Sequence, residues 1–257
     1  MDGLKELYNY REMLSNLVKK DLRTRYKGSV LGFLWTFVNP LLQLIIYTIA
    51  FSTIMRVNVD KFYMYLFIAL IPWLFFATSL QTSASCIISN KDLIKKIYFP
   101  RLVIPISVVN SAFMNMVFSM VIVFLALIFS GIGIDKNVIF LPIIMILEYL
   151  FVLGLSFIFA AINVYFRDLE HILGIITMGW FYITPIVYTI DMIPEKYLGL
   201  FYLNPMTRIV TAYRDVLYYK QIPDFASLAI ILVWSIVFII LGYILFGKLQ
   251  KNFVEEL

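Results

Sequence analysis

The sequence predicts an all-α polytopic membrane protein. The expected architecture is an N-terminal amphipathic interface helix plus six transmembrane helices, with a re-entrant outer helical hairpin between spans five and six. Three observations carry this prediction. Of the 257 residues, 62% are hydrophobic and only 14% charged, whereas about a quarter of a soluble domain is charged. The mean hydropathy is +0.89. The apolar residues also gather into six runs, each near or above the roughly 20 residues that one helical crossing needs. Disorder, a collagen-like chain, a disulfide scaffold and a soluble multi-domain enzyme are thereby excluded. The single Cys86 cannot form an internal disulfide. A net charge of +5 fits Lys- and Arg-rich cytoplasmic loops, so nucleic acid is not an expected partner.

The elements follow in order. Residues 1–27 are the most charged part of the chain. Leu4, Leu7, Tyr8, Leu14, Leu17, Val18 and Leu22 recur at helical spacing, with Lys5, Glu6, Glu12, Asn16, Lys19, Lys20 and Arg23 around the other side. This pattern predicts a helix lying in the membrane interface. It is no signal peptide, because the charged region is long and no cleavable apolar core follows. Residues 28–257 then form a six-span domain, with spans about Val30–Ile54, Phe62–Ile88, Leu102–Ile132, Val138–Val164, Ile172–Ile190 and Phe225–Phe246. Proline within such spans is tolerated where neighbouring helices satisfy the freed carbonyls.

Lys and Arg set the expected orientation. With the N-terminus inside, fourteen of the 21 lie in inner segments and seven in outer ones, so both termini are expected in the cytoplasm. The last outer segment, Asp191–Asp224, is too long for a turn and too apolar for a floppy loop. Asn204-Pro205 divides it, and two short helices dipping partway into the outer leaflet would bury its Tyr, Leu and Phe side chains.

No catalytic apparatus is legible. Gly242-x-x-x-x-Gly247-Lys248 superficially matches a phosphate loop, but Leu249 stands where Ser or Thr must hold magnesium. Arg167-Asp168-Leu169-Glu170-His171 could begin a metal site, yet no second acidic or His cluster completes it. A charged turn with Asp168 capping the next helix is the better reading. Glu148 is a carboxylate well inside a span, where ionisable groups are candidates for function. Lacking a basic mate, it reads best as a hydrogen-bonded acid settled between helices, with a Tyr or Asn partner.

Asn90–Arg101 is more informative. A short amphipathic helix with Leu93, Ile94 and Ile97 on one side, stopped by Pro100, exceeds what a solvated loop needs. It suits docking into a partner's cleft. Aromatic residues cluster in the first span (Trp35, Phe37, Tyr47, Phe51), the second (Trp73, Phe75, Phe76) and the fifth (Trp180, Phe181, Tyr182, Tyr188). Core packing explains many of them, and a sugar-stacking pore wall is compatible with the rest.

Five segments in order resemble the membrane subunits of type-2 ABC exporters, in the branch that moves O-antigen, teichoic acid and related glycans. They are Arg25-Tyr26-Lys27-Gly28-Ser29-Val30-Leu31-Gly32-Phe33-Leu34-Trp35, then Lys96-Ile97-Tyr98-Phe99-Pro100-Arg101, Phe166-Arg167-Asp168-Leu169, Pro185-Ile186-Val187-Tyr188, and Leu203-Asn204-Pro205-Met206 through Tyr213-Arg214. The resemblance implies a homodimer in the bacterial inner membrane with two cytoplasmic ATP-binding subunits. ATP and Mg would bind those subunits, leaving this chain without cofactor, metal or catalytic residue.

In that arrangement Asn90, Lys91, Asp92, Leu93, Lys95, Lys96, Tyr98 and Arg101 form the principal coupling contact, and Arg167, Asp168 and Glu170 a second. The expected cargo is a polyprenyl-diphosphate-linked glycan whose phosphates meet Arg23, Arg25, Tyr26 and Lys27 at the entrance. Trp35, Tyr47, Trp73, Trp180, Tyr182 and Tyr188 are expected to wall its path between two protomers in contact with membrane lipid. Asn204, Pro205, Tyr213 and Arg214 belong to the outer gate hairpin. A small-molecule or antibiotic exporter of the same superfamily is an alternative. A membrane-embedded lipid-glycan transferase is another, but it needs convergent acids or a metal cluster, and only Asp168, Glu170 and His171 are offered.

Overall fold

A computed structural model describes residues 8–26, 28–54 and 59–257. The side chains of residues 25, 26, 53 and 54 lie outside that description, as does Lys27 altogether. Among the described residues all regular structure is helical. The helices are α1 (Arg11–Tyr26), α2 (Trp35–Thr48), α3 (Phe62–Ser89), α4 (Lys91–Lys96), α5 (Val103–Phe129) and α6 (Leu141–Tyr165), then α7 (Leu169–Ile183), α8 (Glu195–Leu203), α9 (Pro205–Leu217), α10 (Phe225–Leu249) and α11 (Phe253–Glu256).

Five rods are long and apolar enough to cross a membrane: Gly32–Ser52, Phe62–Ser89, Val103–Phe129, Lys136–Tyr165 and Phe225–Glu256. Helix α7 has 15 residues, about 22 Å at 1.5 Å per residue, which is short of a full crossing. The hydropathy of this region predicted a span reaching Ile190. The helix instead ends at Ile183, because Thr184 precedes Pro185 and takes extended backbone, φ −98° and ψ 131°, the conformation that a following proline ring enforces. Ile186 and Val187 beyond the break are still buried, so the apolar run continues without the helix.

Helix α3 is the central post, buried on nearly all sides, with α2, α5, α6, α7 and α9 packed around it. Phe67, Phe76 and Phe151 fill the centre, and the last two stack at 6.1 Å. Helix α10 lies against α6, its main neighbour. Their backbones meet at Gly154 and Gly242, where a Cβ on Gly242 would stand 2.5 Å from the Gly154 carbonyl oxygen. Without a hydrophobic force between helices in lipid, small residues that permit close backbone approach take over.

Helix α1 follows its predicted sidedness. Tyr10, Met13, Leu14 and Leu17 pack on a cluster containing Ile94, Phe99, Leu102 and Val103, while Lys19, Lys20 and Arg23 are exposed. Tyr8, assigned by spacing to the apolar side, is 66% exposed, because a turn at Tyr10 interrupts the helix and its phase.

The two ends of the bundle differ. At one end, α1, the α4 segment, the α6–α7 turn and the C-terminus converge. At the other, Asn137 Nδ2 donates to the Lys220 carbonyl at 2.8 Å and the Tyr218 hydroxyl donates to the Asp60 carbonyl, beside α8 and α9.

Candidate functional site

The first surface is the α4 segment. Asn90 closes α3 and opens α4, its Nδ2 donating to the Cys86 carbonyl at 2.9 Å. Ile94 and Phe99 are buried beneath the segment, whereas Lys91, Asp92, Lys95, Lys96 and Tyr98 are exposed and Leu93 is half-buried. Tyr98 is 87% exposed, an unusual position for a large aromatic side chain. Helical phase put Ile97 with the anchors, but α4 stops at Lys96 and Ile97 is extended (φ −132°, ψ 137°). Its side chain therefore turns outward, and Phe99 takes the anchoring role. Burying two such side chains contributes roughly 1.5–3 kcal/mol each, which fixes the knob to the bundle.

The other predicted contact residues gather nearby. Arg101 donates through Nη1 to the Gln250 carbonyl and lies 5.8 Å from the Phe253 ring centroid. Arg167 donates through Nη2 to the Glu256 carbonyl at 3.2 Å, and the Tyr165 hydroxyl donates to the Leu249 carbonyl at 2.8 Å. The C-terminal segment is thus clasped by both predicted contact regions. Asp168 occupies the N-cap of α7 but makes no side-chain capping bond. Asn163 Oδ1 accepts from the Glu170 N–H instead, at 3.1 Å. Nothing in sequence spacing pointed to Asn163, four positions before the turn at Arg167.

Of the predicted entrance residues, Arg23 is exposed on α1. The side chains of Arg25 and Tyr26, and all of Lys27, fall outside the described residues.

The aromatic residues divide among three places. Tyr47, Trp73 and Tyr182 line one groove of about 220 Å³ with Gln81, Thr177 and Phe181. Within it the Tyr47 and Phe181 rings stack at 5.4 Å, and Gln81 Nε2 donates to Thr177 Oγ1 at 3.1 Å. Those two polar residues inside apolar runs were the signal the sequence reading passed over. Trp35 lines a separate cavity of about 440 Å³ with Thr36, Asn39, Phe75, Asn115 and Ser119. Trp180 packs edge-on against Phe76 at 4.9 Å and reaches the hairpin, and the Tyr188 hydroxyl donates to the Tyr182 carbonyl at 2.7 Å.

The hairpin residues form a buried polar network. Asn204 Oδ1 accepts from the Met206 N–H at 3.0 Å, capping α9, and from Trp180 Nε1 at 2.9 Å. Its Nδ2 donates to Thr184 Oγ1 at 3.0 Å, and Pro205 supplies the preorganised first helical residue. The Tyr213 hydroxyl donates to Glu148 Oε2 at 2.6 Å, giving Glu148 the Tyr partner that its position called for. Arg214 is 2% exposed. Its guanidinium donates to the carbonyls of Tyr65, Pro185 and Ile186 at 3.2, 2.5 and 2.7 Å and lies 3.5 Å from the Tyr65 ring centroid. A planar donor fork over an aromatic face is the arrangement that Arg supports and Lys does not. One cation thereby ties α9, α3 and the break after α7. Half-buried Asp215 is pushed up to about 6 by burial and by the neighbouring Asp224 carboxylate. Arg208, unremarked in the sequence, ties α9 to α10 through Ser227 Oγ at 2.8 Å.

Residues 13–218 match the ABC-2 type transporter family. The chain is 36% identical over 256 residues to the O-antigen export system permease protein RfbA of Myxococcus xanthus, covering 99% of this chain and 98% of that one. A Klebsiella pneumoniae RfbA is 35% identical, covering 99% and 100%. The Escherichia coli polysialic acid transport protein KpsM is 24% identical over 91% of this chain and 92% of its own. The exposed knob and clasped C-terminus at one end, and the cation-pinned hairpin at the other, therefore belong to a membrane subunit of the ABC-2 type transporter family.

Proposed function

We propose that the chain is the membrane-spanning subunit of an ATP-driven exporter. Its cargo is a polyprenyl-diphosphate-linked cell-surface polysaccharide of the O-antigen type, moved across the bacterial cytoplasmic membrane. The observation that carries this reading is the end-to-end similarity to O-antigen export permeases. Two copies of the chain pair with two ATP-binding subunits, which hold ATP and Mg. Support for pairing comes from the outward-opening aromatic groove, where Gln81 and Thr177 set polar groups among α2, α3 and α7, since polar side chains hold helices together in lipid.

Both termini face the cytoplasm, and α1 lies in the interface as a collar. Helix α7 and the extended segment after it complete a sixth crossing, and α8–α9 form a re-entrant hairpin at the outer gate. Closure of the ATP-binding subunits pushes on Asn90–Tyr98, with Arg167, Asp168 and Glu170 as a second contact. The anchors Ile94 and Phe99 pass that movement to the ends of α1, α5, α6 and α10, because they are buried among them. Phosphates of the lipid carrier meet Arg23, Arg25 and Lys27, where charge-assisted hydrogen bonds are strongest. Sugar rings then stack on Trp35, Tyr47, Trp73, Trp180, Tyr182 and Tyr188 as these surfaces open between protomers.

Inverted membrane vesicles carrying this chain and its ATP-binding partner test the reading. ATP-dependent movement of lipid-linked O-polysaccharide into the lumen is expected. Movement of a hydrophobic small molecule with no effect on the glycan would overturn the cargo.

A further inference from the structure

A cleft of about 700 Å³ opens between the end of α4 with the segment following it and the C-terminal end of α10, apart from the aromatic groove. Its charged lining is entirely cationic: Lys95, Lys96, Arg101 and Lys251. The three lysines are exposed, and Arg101 is half-buried with Nη1 committed to the Gln250 carbonyl. Asp92 on α4 and Glu255 and Glu256 on α11 are the nearest acids in sequence, and none of them lines the cleft.

One wall is of a different kind. The outward face of α10 exposes Ile236, Ile240, Tyr243 and Ile244, spaced to form one stripe along the helix. Tyr243 belongs both to that stripe and to the cleft. An apolar track therefore descends α10 and ends on a group of cations. Gly247, one turn beyond Tyr243, would have no atom within 4 Å of an added Cβ, so the cleft is open where the track meets the charge.

We propose that this cleft binds an anionic phospholipid, its phosphate held by Lys251 and by the Arg101 donors not committed to Gln250, and its acyl chains along the α10 stripe. Basic pockets between helices at a membrane surface suit such headgroups. A free anion would use these cations alone, whereas a lipid whose acyl chains follow the track brings its phosphate to them, which is why a lipid is the occupant of choice. The lipid bridges the α4 segment and α10, and so stiffens the knob that the ATP-binding partner engages. The site is independent of the cargo and requires only that this end of the bundle lie at a membrane surface.

The test uses the purified chain in complex with its ATP-binding partner, in detergent with added phosphatidylglycerol or phosphatidylcholine, and bound lipid read by native mass spectrometry. The wild type retains phosphatidylglycerol preferentially. Lys251→Gln weakens retention about fivefold, the effect of one cation at an anionic lipid. Gly247→Leu weakens it by filling the cleft without changing charge. Equal retention by the wild type and Lys251→Gln, a surface change with no packing consequence, overturns the site. Displacement of the lipid by millimolar inorganic phosphate overturns the lipid as occupant, and preferential capture of a polyprenyl diphosphate assigns the cleft to the cargo carrier instead. None of these readings uses ATP or glycan, so the site stands or falls separately from the export reading.

Discussion

Replacing Tyr213 by Phe removes one oxygen atom from a site with no access to water. Tyr213 and Glu148 are both fully buried, and the hydroxyl donates to Glu148 Oε2 at 2.6 Å. Glu148 Oε1 has no other partner among the described residues, so the substitution leaves the whole carboxyl group unpaired. The ring stays, so no cavity adds to the cost. An unpaired buried polar group costs about 1–3 kcal/mol. Taking roughly 2 kcal/mol, the apparent Tm should fall by about 4–8 °C for a chain of this size. Glu148→Gln keeps an acceptor for the hydroxyl and should cost less than Tyr213→Phe. Glu148→Leu should cost as much as Tyr213→Phe, because it strands the hydroxyl. Combining Glu148→Leu with Tyr213→Phe should restore part of the loss, since two apolar partners need no hydrogen bond. Thermal unfolding of the four proteins in one detergent measures the cycle. Additive single effects, or a Tyr213→Phe protein melting within 1 °C of wild type, would refute the pairing as the link between hairpin and span.

Further expectations follow from neighbouring contacts. Arg214→Lys should destabilise by about 3 kcal/mol, because an ammonium cannot serve three carbonyls and stack on Tyr65 as the guanidinium does. The same thermal assay detects it, and an unchanged Tm contradicts the pinning role. Gly242→Ala should loosen the α6–α10 crossing, its new methyl group meeting the Gly154 carbonyl oxygen at 2.5 Å, at a cost of about 1–3 kcal/mol. A cross-link between cysteines introduced at Ser235 and Leu147, where a hydrogen bond already joins the two helices at 3.2 Å, should form more slowly in that variant. Asp215 carries a raised pKa of about 6, so the folded protein holds a proton that the unfolded chain has released. Stability from this group is present below about pH 4 and is lost as pH rises to about 6. Asp215→Asn should flatten that slope and raise stability at pH 7.5, read as a higher apparent Tm, by no more than about 1 kcal/mol given its half-exposure to solvent.

Much of this architecture is legible in the sequence because a bilayer leaves few options for an apolar run of 20 residues. The long rods, the sidedness of α1 and the break at Asn204-Pro205 all follow from period and proline. The end of α7 was harder, because hydropathy continues through Ile186 and Val187 while the backbone, constrained by Pro185, does not. Ile97 illustrates the same limit in miniature, since a helical wheel assigns a face only as far as the helix extends. The site was legible as segments and not as pairings. Glu148 announced itself as an acid in a span, and a Tyr was foreseen as its partner. That the partner is Tyr213, 65 positions away, depends on the packing of α9 on α6. Arg214 could be read as an outer-loop cation, yet its three carbonyl partners exist only because α7 breaks beside α3. Trp35 and Tyr47 share α2 but lie about 18 Å apart along it, and Trp180 and Tyr182 leave α7 in different directions, so the aromatic residues reach different places.

In the proposed exporter, the end bearing α1, α4 and the clasped C-terminus receives the ATP-binding subunit. A photo-reactive amino acid at Tyr98, the most exposed aromatic of the α4 segment, tests it directly against the same probe at Tyr219 at the opposite end. A cross-link from position 98 to the ATP-binding subunit is expected in intact membranes, strengthened by ATP, and none from position 219. A cross-link from position 219 with none from position 98 would contradict it.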